Sequence, residues 1–300
     1  MSVTAAEIEE SKVISLRERM SAFAELTKPR IAFMLVVTSA AGFYLGSTGP
    51  FQFVLFANAM VGIALLAFGV ATLNQYIERY TDTLMARTAK RPIPTGRVTS
   101  NEALVFGVIQ CVTAELYLFF LVNPLTAALG LTVIIGYVFM YTPLKTRTSA
   151  STAIGALPGA MPPLMGWTSA SNEITLGAWA LFAMLFLWQF PHFLAIAWMY
   201  RDEYAKAGIK MLPVVEPSGR LTARQIVLFT IMLVPVSLAP FFIGFAGPLF
   251  LAGAVILGVW FLIESIRAAH AKTALRARRL LLVSVLYLPL ILALAVLDHR

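Results

Sequence analysis

The amino-acid sequence predicts an all-α integral membrane protein with about nine transmembrane helices. Of its 300 residues, 59% are hydrophobic and only 13% are charged, which is more apolar sequence than a soluble core of this size absorbs. The apolar residues also fall into runs long enough to cross the roughly 30 Å of a bilayer's hydrocarbon. We expect spans near residues 31–46, 53–73, 102–121, 125–142, 151–169, 176–200, 223–244, 247–266 and 280–297.

The basic residues indicate the orientation of these spans, because Lys and Arg concentrate in cytoplasmic loops. Every Lys and Arg except Arg300 lies in the N-terminal segment or in or beside alternate loops, near 74–101, 143–150, 201–222 and 267–279. The other loops, near 47–50, 123–124, 169–173 and 246–247, carry none. This predicts a cytoplasmic N-terminus and an external C-terminus, and it assigns the net charge of +8 to topology rather than to nucleic-acid binding.

The chain divides into a cytoplasmic N-terminal tail, residues 1–27, and one polytopic membrane domain, residues 28–300. Five glutamates in the tail argue against a transit peptide, so a bacterial plasma (inner) membrane is the expected location. The tail is weakly amphipathic and is expected to lie along the membrane surface. The single cysteine, Cys111, falls inside a span, which excludes an intramolecular disulfide and predicts a packing role.

The most informative polar stretch runs from residue 74 to residue 97. On a helix, Asn74, Glu78 and Asp82 stand at i, i+4 and i+8, so three oxygen ligands share one face. Carboxylates amid excess cations suit a metal-bridged phosphate, which predicts a magnesium–diphosphate site, with two ions favoured because i and i+8 lie roughly 12 Å apart. The alternative is a solvated, salt-bridged helix end. The cations of this stretch are Arg79, Arg87, Lys90, Arg91 and Arg97.

A second acidic pair, Asp202 and Glu203, follows the sixth predicted span, with Lys206 and Lys210 close by. The number of spans between them places both acidic stretches on the same side of the membrane. Two such clusters can clamp one diphosphate through metal ions, and we therefore predict metal ligands in both.

These motifs resemble a known family. The run N-x-x-x-E-x-x-x-D-x-x-M-x-R-T-x-x-R-P at 74–92 resembles the first acidic motif of the UbiA-type intramembrane prenyltransferases. The flanking segments resemble the branch of that family that farnesylates protohaem IX: KPR at 28–30, YTPLKTRT at 141–148, IGALPGAMPPLMGW at 154–167, WQFPHF at 188–193 and EYAKAGIKMLPV at 203–214. Two positions depart from the commoner pattern, which has Asp in place of Glu78 and a further Asp in place of Lys206.

The resemblance implies transfer of a farnesyl group from farnesyl diphosphate to a vinyl group of haem B, followed by capture of water, with Mg²⁺ as cofactor. By analogy it also implies a haem-modifying hydroxylase or a terminal oxidase assembly as a neighbour. A prenyltransferase acting on a quinone precursor, or a transporter, remains the alternative. The implied catalytic and metal-binding residues are Asn74, Glu78, Asp82, Asp202 and Glu203, and the implied diphosphate-binding residues are Arg79, Arg87, Lys90, Arg91, Lys206 and Lys210.

Three residues are candidates for contact with haem. His192 lies inside the sixth predicted span, where a polar ring is costly without a partner, so it either hydrogen-bonds within the bundle or contacts haem. Lys145 and Arg147 either pair with the haem propionates or anchor a cytoplasmic loop. The Gly- and Pro-rich segment 154–167 either opens a cavity for a planar macrocycle or allows close helix packing.

Overall fold

The fold is a bundle of helices, and its long apolar helices coincide with eight of the nine predicted runs. The structure is a computed structural model that describes residues 15–300, so the first part of the predicted tail falls outside the described residues. The elements are α1 (Leu16–Leu26), α2 (Pro29–Gly46), α3 (Phe53–Thr83), α4 (Ser100–Leu121), α5 (Pro124–Ile134), a π-helix (Ile135–Tyr141), α6 (Thr142–Leu144), α7 (Ser151–Gly159), α8 (Met161–Ser171), α9 (Leu176–Met199), α10 (Arg201–Lys206), α11 (Leu212–Val215), α12 (Arg220–Ile243), α13 (Pro248–Ala271) and α14 (Ala274–Leu297).

The all-α membrane class is confirmed, whereas the count of about nine spans is not. Within residues 15–300, eight helical stretches are long and apolar enough to cross a membrane, the run Pro124–Leu144 counting as one. The predicted span at 151–169 is instead two short helices, α7 and α8, of 9 and 11 residues, which meet at Ala160. Pro162 and Pro163 open α8 and cannot donate backbone hydrogen bonds to the preceding turn, which explains the break.

Helix α8 packs closely against α2 through glycine. A Cβ on Gly166 would lie 1.9 Å from the backbone oxygen of Ser39, and one on Gly42 would lie 2.1 Å from that of Pro163. The two backbones therefore touch where a side chain would separate them, as is typical of membrane helices.

Helices α3 and α4 approach each other at a second glycine. A Cβ on Gly69 would lie 2.6 Å from the Cys111 sulfur, and that buried cysteine fills the space between the helices. Cys111 is thus a packing residue, as the sequence predicts.

Helix α1 packs against the bundle rather than standing apart from it. Ser15 and Glu18 form a capping box at its start, and Ala22 and Leu26 are buried with Val98 at the entrance to α4. This contact holds α1 beside the loop that follows α3.

Candidate active site in the cavity beside α3

A cavity of about 580 Å³ lies beside α3, between the cluster built from α3, α4 and α5 and the one built from α9, α12, α13 and α14. Its lining on α3 extends from Ile63 to Asp82, a rise of about 28 Å. One end is charged and the remainder is mostly apolar. Residues of the apolar part include Leu66, Val70, Val133, Met165, Leu185 and Leu288.

The structure places Asn74, Glu78 and Asp82 on α3, and all three line the charged end of the cavity. Asn74 and Asp82 are buried, and Glu78 is nearly so. The i, i+4, i+8 spacing thus brings three oxygen-bearing side chains to one surface, which a solvated helix end would not do.

Each carboxylate of this face is paired with a buried or half-buried cation. Arg91 donates from Nη1 to both carboxylate oxygens of Asp82, at 2.8 and 2.6 Å, and the same nitrogen lies 3.8 Å from Glu78 Oε2. Lys145 Nζ lies 2.5 Å from Glu78 Oε1. Burial opposes the charge on Lys145, but the adjacent Glu78 carboxylate more than offsets it and holds the pKa of the Lys145 amine well above its usual range.

Asn74 is held by a residue to which the sequence analysis assigned no role. Lys28 caps α2 in the left-handed conformation (φ 48°), and its Nζ donates to Asn74 Oδ1 at 2.8 Å, while Asn74 Nδ2 donates to Thr142 Oγ1 at 3.2 Å. Burial, together with the nearby Arg91 guanidinium, lowers the pKa of the Lys28 amine to about 7. The available signal was the position of Lys28 directly before Pro29, at the start of the first apolar run.

The oxygen donors of α3 fit Mg²⁺ held jointly with phosphate. Within residues 15–300 no three His, Cys, Asp or Glu side chains are grouped so as to hold a metal by themselves. Mg²⁺ is usually bound through one or two carboxylates while phosphate and water complete its shell. Glu78, Asp82 and the Asn74 amide oxygen supply that kind of incomplete set.

The second acidic stretch contacts the first through one of its two acids. Glu203 Oε2 accepts a hydrogen bond from the backbone N–H of Arg87 at 3.3 Å, and the neighbouring Tyr204 hydroxyl accepts one from the Arg87 guanidinium at 3.3 Å. Asp202 points away from the cavity: its side chain is 88% exposed and lies 3.6 Å from Arg201. The structure therefore brings Glu203, but not Asp202, to the first stretch.

Of the cations predicted to bind diphosphate or haem, some line the cavity and the others do not. Arg87, Arg91 and Lys145 line the cavity. Arg79 donates to the Tyr76 carbonyl at 2.7 Å and is not part of the lining. The remaining predicted cations are exposed and lie outside the lining; they are Lys90, Arg147, Lys206 and Lys210.

On its α9 side, the cavity is lined by aromatic and polar side chains. His192 lines the cavity, its Nδ1 lies 2.8 Å from Ser284 Oγ, and its ring stacks on Trp188 with centroids 4.5 Å apart. Gln189 also lines the cavity, and a Cβ on Gly159 would lie 2.1 Å from its Oε1. The glycines of segment 154–167 thus leave space next to the cavity as well as next to α2.

The chain matches a protein family and curated relatives over most of its length. The UbiA prenyltransferase family matches residues 35–292. A relative from Solibacter usitatus (strain Ellin6076), named protoheme IX farnesyltransferase, is 47% identical over 289 residues, which are 93% of this chain and 99% of the relative. Relatives of the same name from Koribacter versatilis and Opitutus terrae are 43% and 41% identical, over 92% and 94% of this chain and 93% and 95% of their own lengths.

Solved structures share the fold at low sequence identity. One, described for digeranylgeranylglyceryl phosphate synthase in membranes, has a TM-score of 0.80 at 14% identity and covers 94% of this chain and 98% of that chain. Another, a UbiA homolog from Archaeoglobus fulgidus bound to GPP and Mg²⁺, has a TM-score of 0.68 at 16% identity, covering 91% of this chain and 99% of that chain. The fold, the family match and the relatives agree, and the chain belongs to the UbiA prenyltransferase family.

Proposed function

We propose that this chain transfers the farnesyl group of farnesyl diphosphate to a vinyl group of haem B with addition of water, giving haem O. The observation that carries the proposal is the charged face of Asn74, Glu78 and Asp82 at one end of a long apolar cavity. Such a cavity suits a substrate with an anionic head and a hydrocarbon tail. The name shared by the relatives supports haem as the acceptor.

Asn74, Glu78 and Asp82 would hold Mg²⁺ together with the diphosphate, and Glu203, which contacts the first stretch at Arg87, would assist from the second. When bound, Mg²⁺ would neutralise charge on the diphosphate leaving group. Because the Asp202 side chain faces away from the cavity, the metal would depend chiefly on the first stretch.

Arg91 and Lys145 stabilise the negative charge that develops on the leaving diphosphate. Both cations line the cavity and already lie among the carboxylates that would hold the metal, so their charge is in place before the reaction begins. Fixed charges of this kind act strongly in a site shielded from water. Arg87, at the rim, adds a third cation.

The remaining lining protects the allylic cation. Tyr141 lies with its ring 4.4 Å from Lys145 Nζ, beside the position proposed for the diphosphate, and an aromatic face stabilises a nearby carbocation. The apolar residues deeper along α3 hold the isoprenoid tail and limit access of water until the new carbon–carbon bond has formed. Water then captures the cation that remains on the former vinyl group and loses a proton, which leaves a hydroxyl group.

We place the reaction at the cytoplasmic face of a bacterial inner membrane, since the basic loops flank the charged end of the cavity. Farnesyl diphosphate would enter from the cytosol with its tail in the bundle. A haem-modifying hydroxylase or a terminal oxidase assembly would receive the product.

The test is an incubation of purified protein with Mg²⁺, farnesyl diphosphate and haem B, followed by mass spectrometry of the haem. We expect farnesylated haem from the wild type and none from Asp82→Asn. Glu173→Gln, a change of an exposed acid in a loop, serves as the control and should retain activity. Farnesylation of a quinone precursor, without any haem product, would overturn the proposed acceptor.

A further inference from the structure

The hydrogen bonds of Ser284 determine which nitrogen of His192 carries its proton. The Ser284 hydroxyl donates to the Leu281 carbonyl at 2.7 Å, so its oxygen is an acceptor toward His192 Nδ1, 2.8 Å away. His192 is therefore the Nδ1–H tautomer, and its Nε2 keeps a free lone pair. Within residues 15–300, no donor is paired with Nε2. The ring lines the cavity, so a molecule bound there can reach this nitrogen.

The ring is held rigidly in this orientation. Trp188, one turn earlier on α9, stacks on it at an interplanar angle of 25° and donates from its own ring nitrogen to the Ser284 carbonyl at 2.8 Å. Ser284 is fully buried on α14. It thus fixes both aromatic rings, one through its hydroxyl and the other through its carbonyl.

A neutral imidazole that donates Nδ1–H to an oxygen and presents Nε2 to a cavity is the usual arrangement of a metal-ligating histidine. Haem iron is commonly held by such a residue. His192 also lies at about the same depth in the bundle as the site proposed for the diphosphate. It is about 10 Å from the end of α9, and Glu78 is about 8 Å from the end of α3. The Arg87–Glu203 contact shows that these helix ends meet at one face.

We propose that His192 Nε2 is the axial ligand of the haem iron and that Ser284 is the residue that positions it. This rests on the proposed function, because it assigns a contact to the acceptor named there. Ligation selects a porphyrin that contains iron and anchors the macrocycle in the cavity at the depth of the α3 carboxylates.

The test titrates two probes, ferric haem B and metal-free protoporphyrin IX, into detergent-purified full-length protein while the Soret band is recorded. The wild type should shift the haem band. In His192→Ala the shift should disappear and haem affinity should fall by more than the roughly tenfold to hundredfold typical of losing an outer partner of a metal ligand. Affinity for metal-free protoporphyrin should be unchanged, and added imidazole should restore the haem band.

Ser284→Ala should weaken haem binding about tenfold while leaving protoporphyrin binding unchanged. Two matched controls should behave as the wild type. His270→Ala removes an exposed histidine of α13, and Ser237→Ala removes a buried serine whose hydroxyl donates to the Leu233 carbonyl.

A Soret shift in His192→Ala as large as that of the wild type, or equal loss of affinity for both probes, would overturn the axial-ligand assignment. If the wild type still farnesylates haem in that case, the proposed function stands and only the ligand assignment is wrong. If the wild type neither binds nor farnesylates haem, both proposals are wrong.

Discussion

Replacing Arg91 by methionine should show how much the Arg91–Asp82 ion pair stabilises the protein in the absence of substrate. Within residues 15–300, Arg91 is the one residue that hydrogen-bonds to the Asp82 carboxylate, and the Asp82 side chain is only 1% exposed. Removing one partner of a buried ion pair leaves the other charge uncompensated and costs about 3–5 kcal/mol. At about 2 °C per kcal/mol for a chain of this size, the Tm should fall by about 6–10 °C.

The assay compares thermal unfolding in detergent with farnesyl-transfer turnover for Arg91→Met, Asp82→Asn and the double variant. The double variant removes both charges, so its Tm should recover most of the loss, whereas its turnover should stay at least about 100-fold below the wild type. Arg97→Met is the matched control, since that arginine pairs with Glu25 in solvent, with side chains 32% and 45% exposed, and should change stability by less than about 1 kcal/mol. A fully active double variant, or an Arg91→Met protein as stable as the control, would refute the reasoning.

Three further outcomes follow from the same geometry. Chelation by EDTA should stop turnover while the Soret shift of bound haem B persists, because the metal and haem sites use different residues; loss of the shift would contradict this. Asp202→Ala should keep at least about a tenth of the wild-type turnover, whereas the turnover of Glu78→Ala should fall more than about 100-fold. Both are measured from the mass of the product. Equal losses of turnover would contradict the outward placement of Asp202. Gly166→Ala should lower stability in thermal unfolding by about 1–3 kcal/mol, because its Cβ would meet the Ser39 backbone oxygen. The control Gly136→Ala makes only ordinary contacts and should match the wild type. Equal stability of the two variants would contradict the close packing of α2 and α8.

The fold class and the charged face could be predicted because both depend on local patterns. Apolar runs of membrane length predict the bundle, and helical spacing alone places Asn74, Glu78 and Asp82 on one surface. The partners of these residues could not be predicted in the same way. Lys28 meets Asn74 across 46 positions of sequence and Lys145 meets Glu78 across 67, and such contacts depend on how the helices pack.

The dependence on contacts between distant segments also explains which details the sequence did not predict. Asp202 and Glu203 are neighbours in sequence, but α10 is only six residues long, and its orientation turns one side chain to Arg87 and the other to solvent. The tautomer of His192 depends on Ser284, 92 positions away, so the sequence could identify a costly intramembrane histidine without indicating which nitrogen is free.

The most direct test of the proposed reaction uses heavy-oxygen water. The purified protein is incubated with Mg²⁺, farnesyl diphosphate and an equal mixture of haem B and a quinone precursor in water labelled with ¹⁸O. The masses of all products are then measured by mass spectrometry. We expect a haem that carries one farnesyl group and one labelled oxygen, together with an unmodified quinone precursor. A farnesylated quinone precursor with unmodified haem, or a farnesylated haem without label, would contradict it.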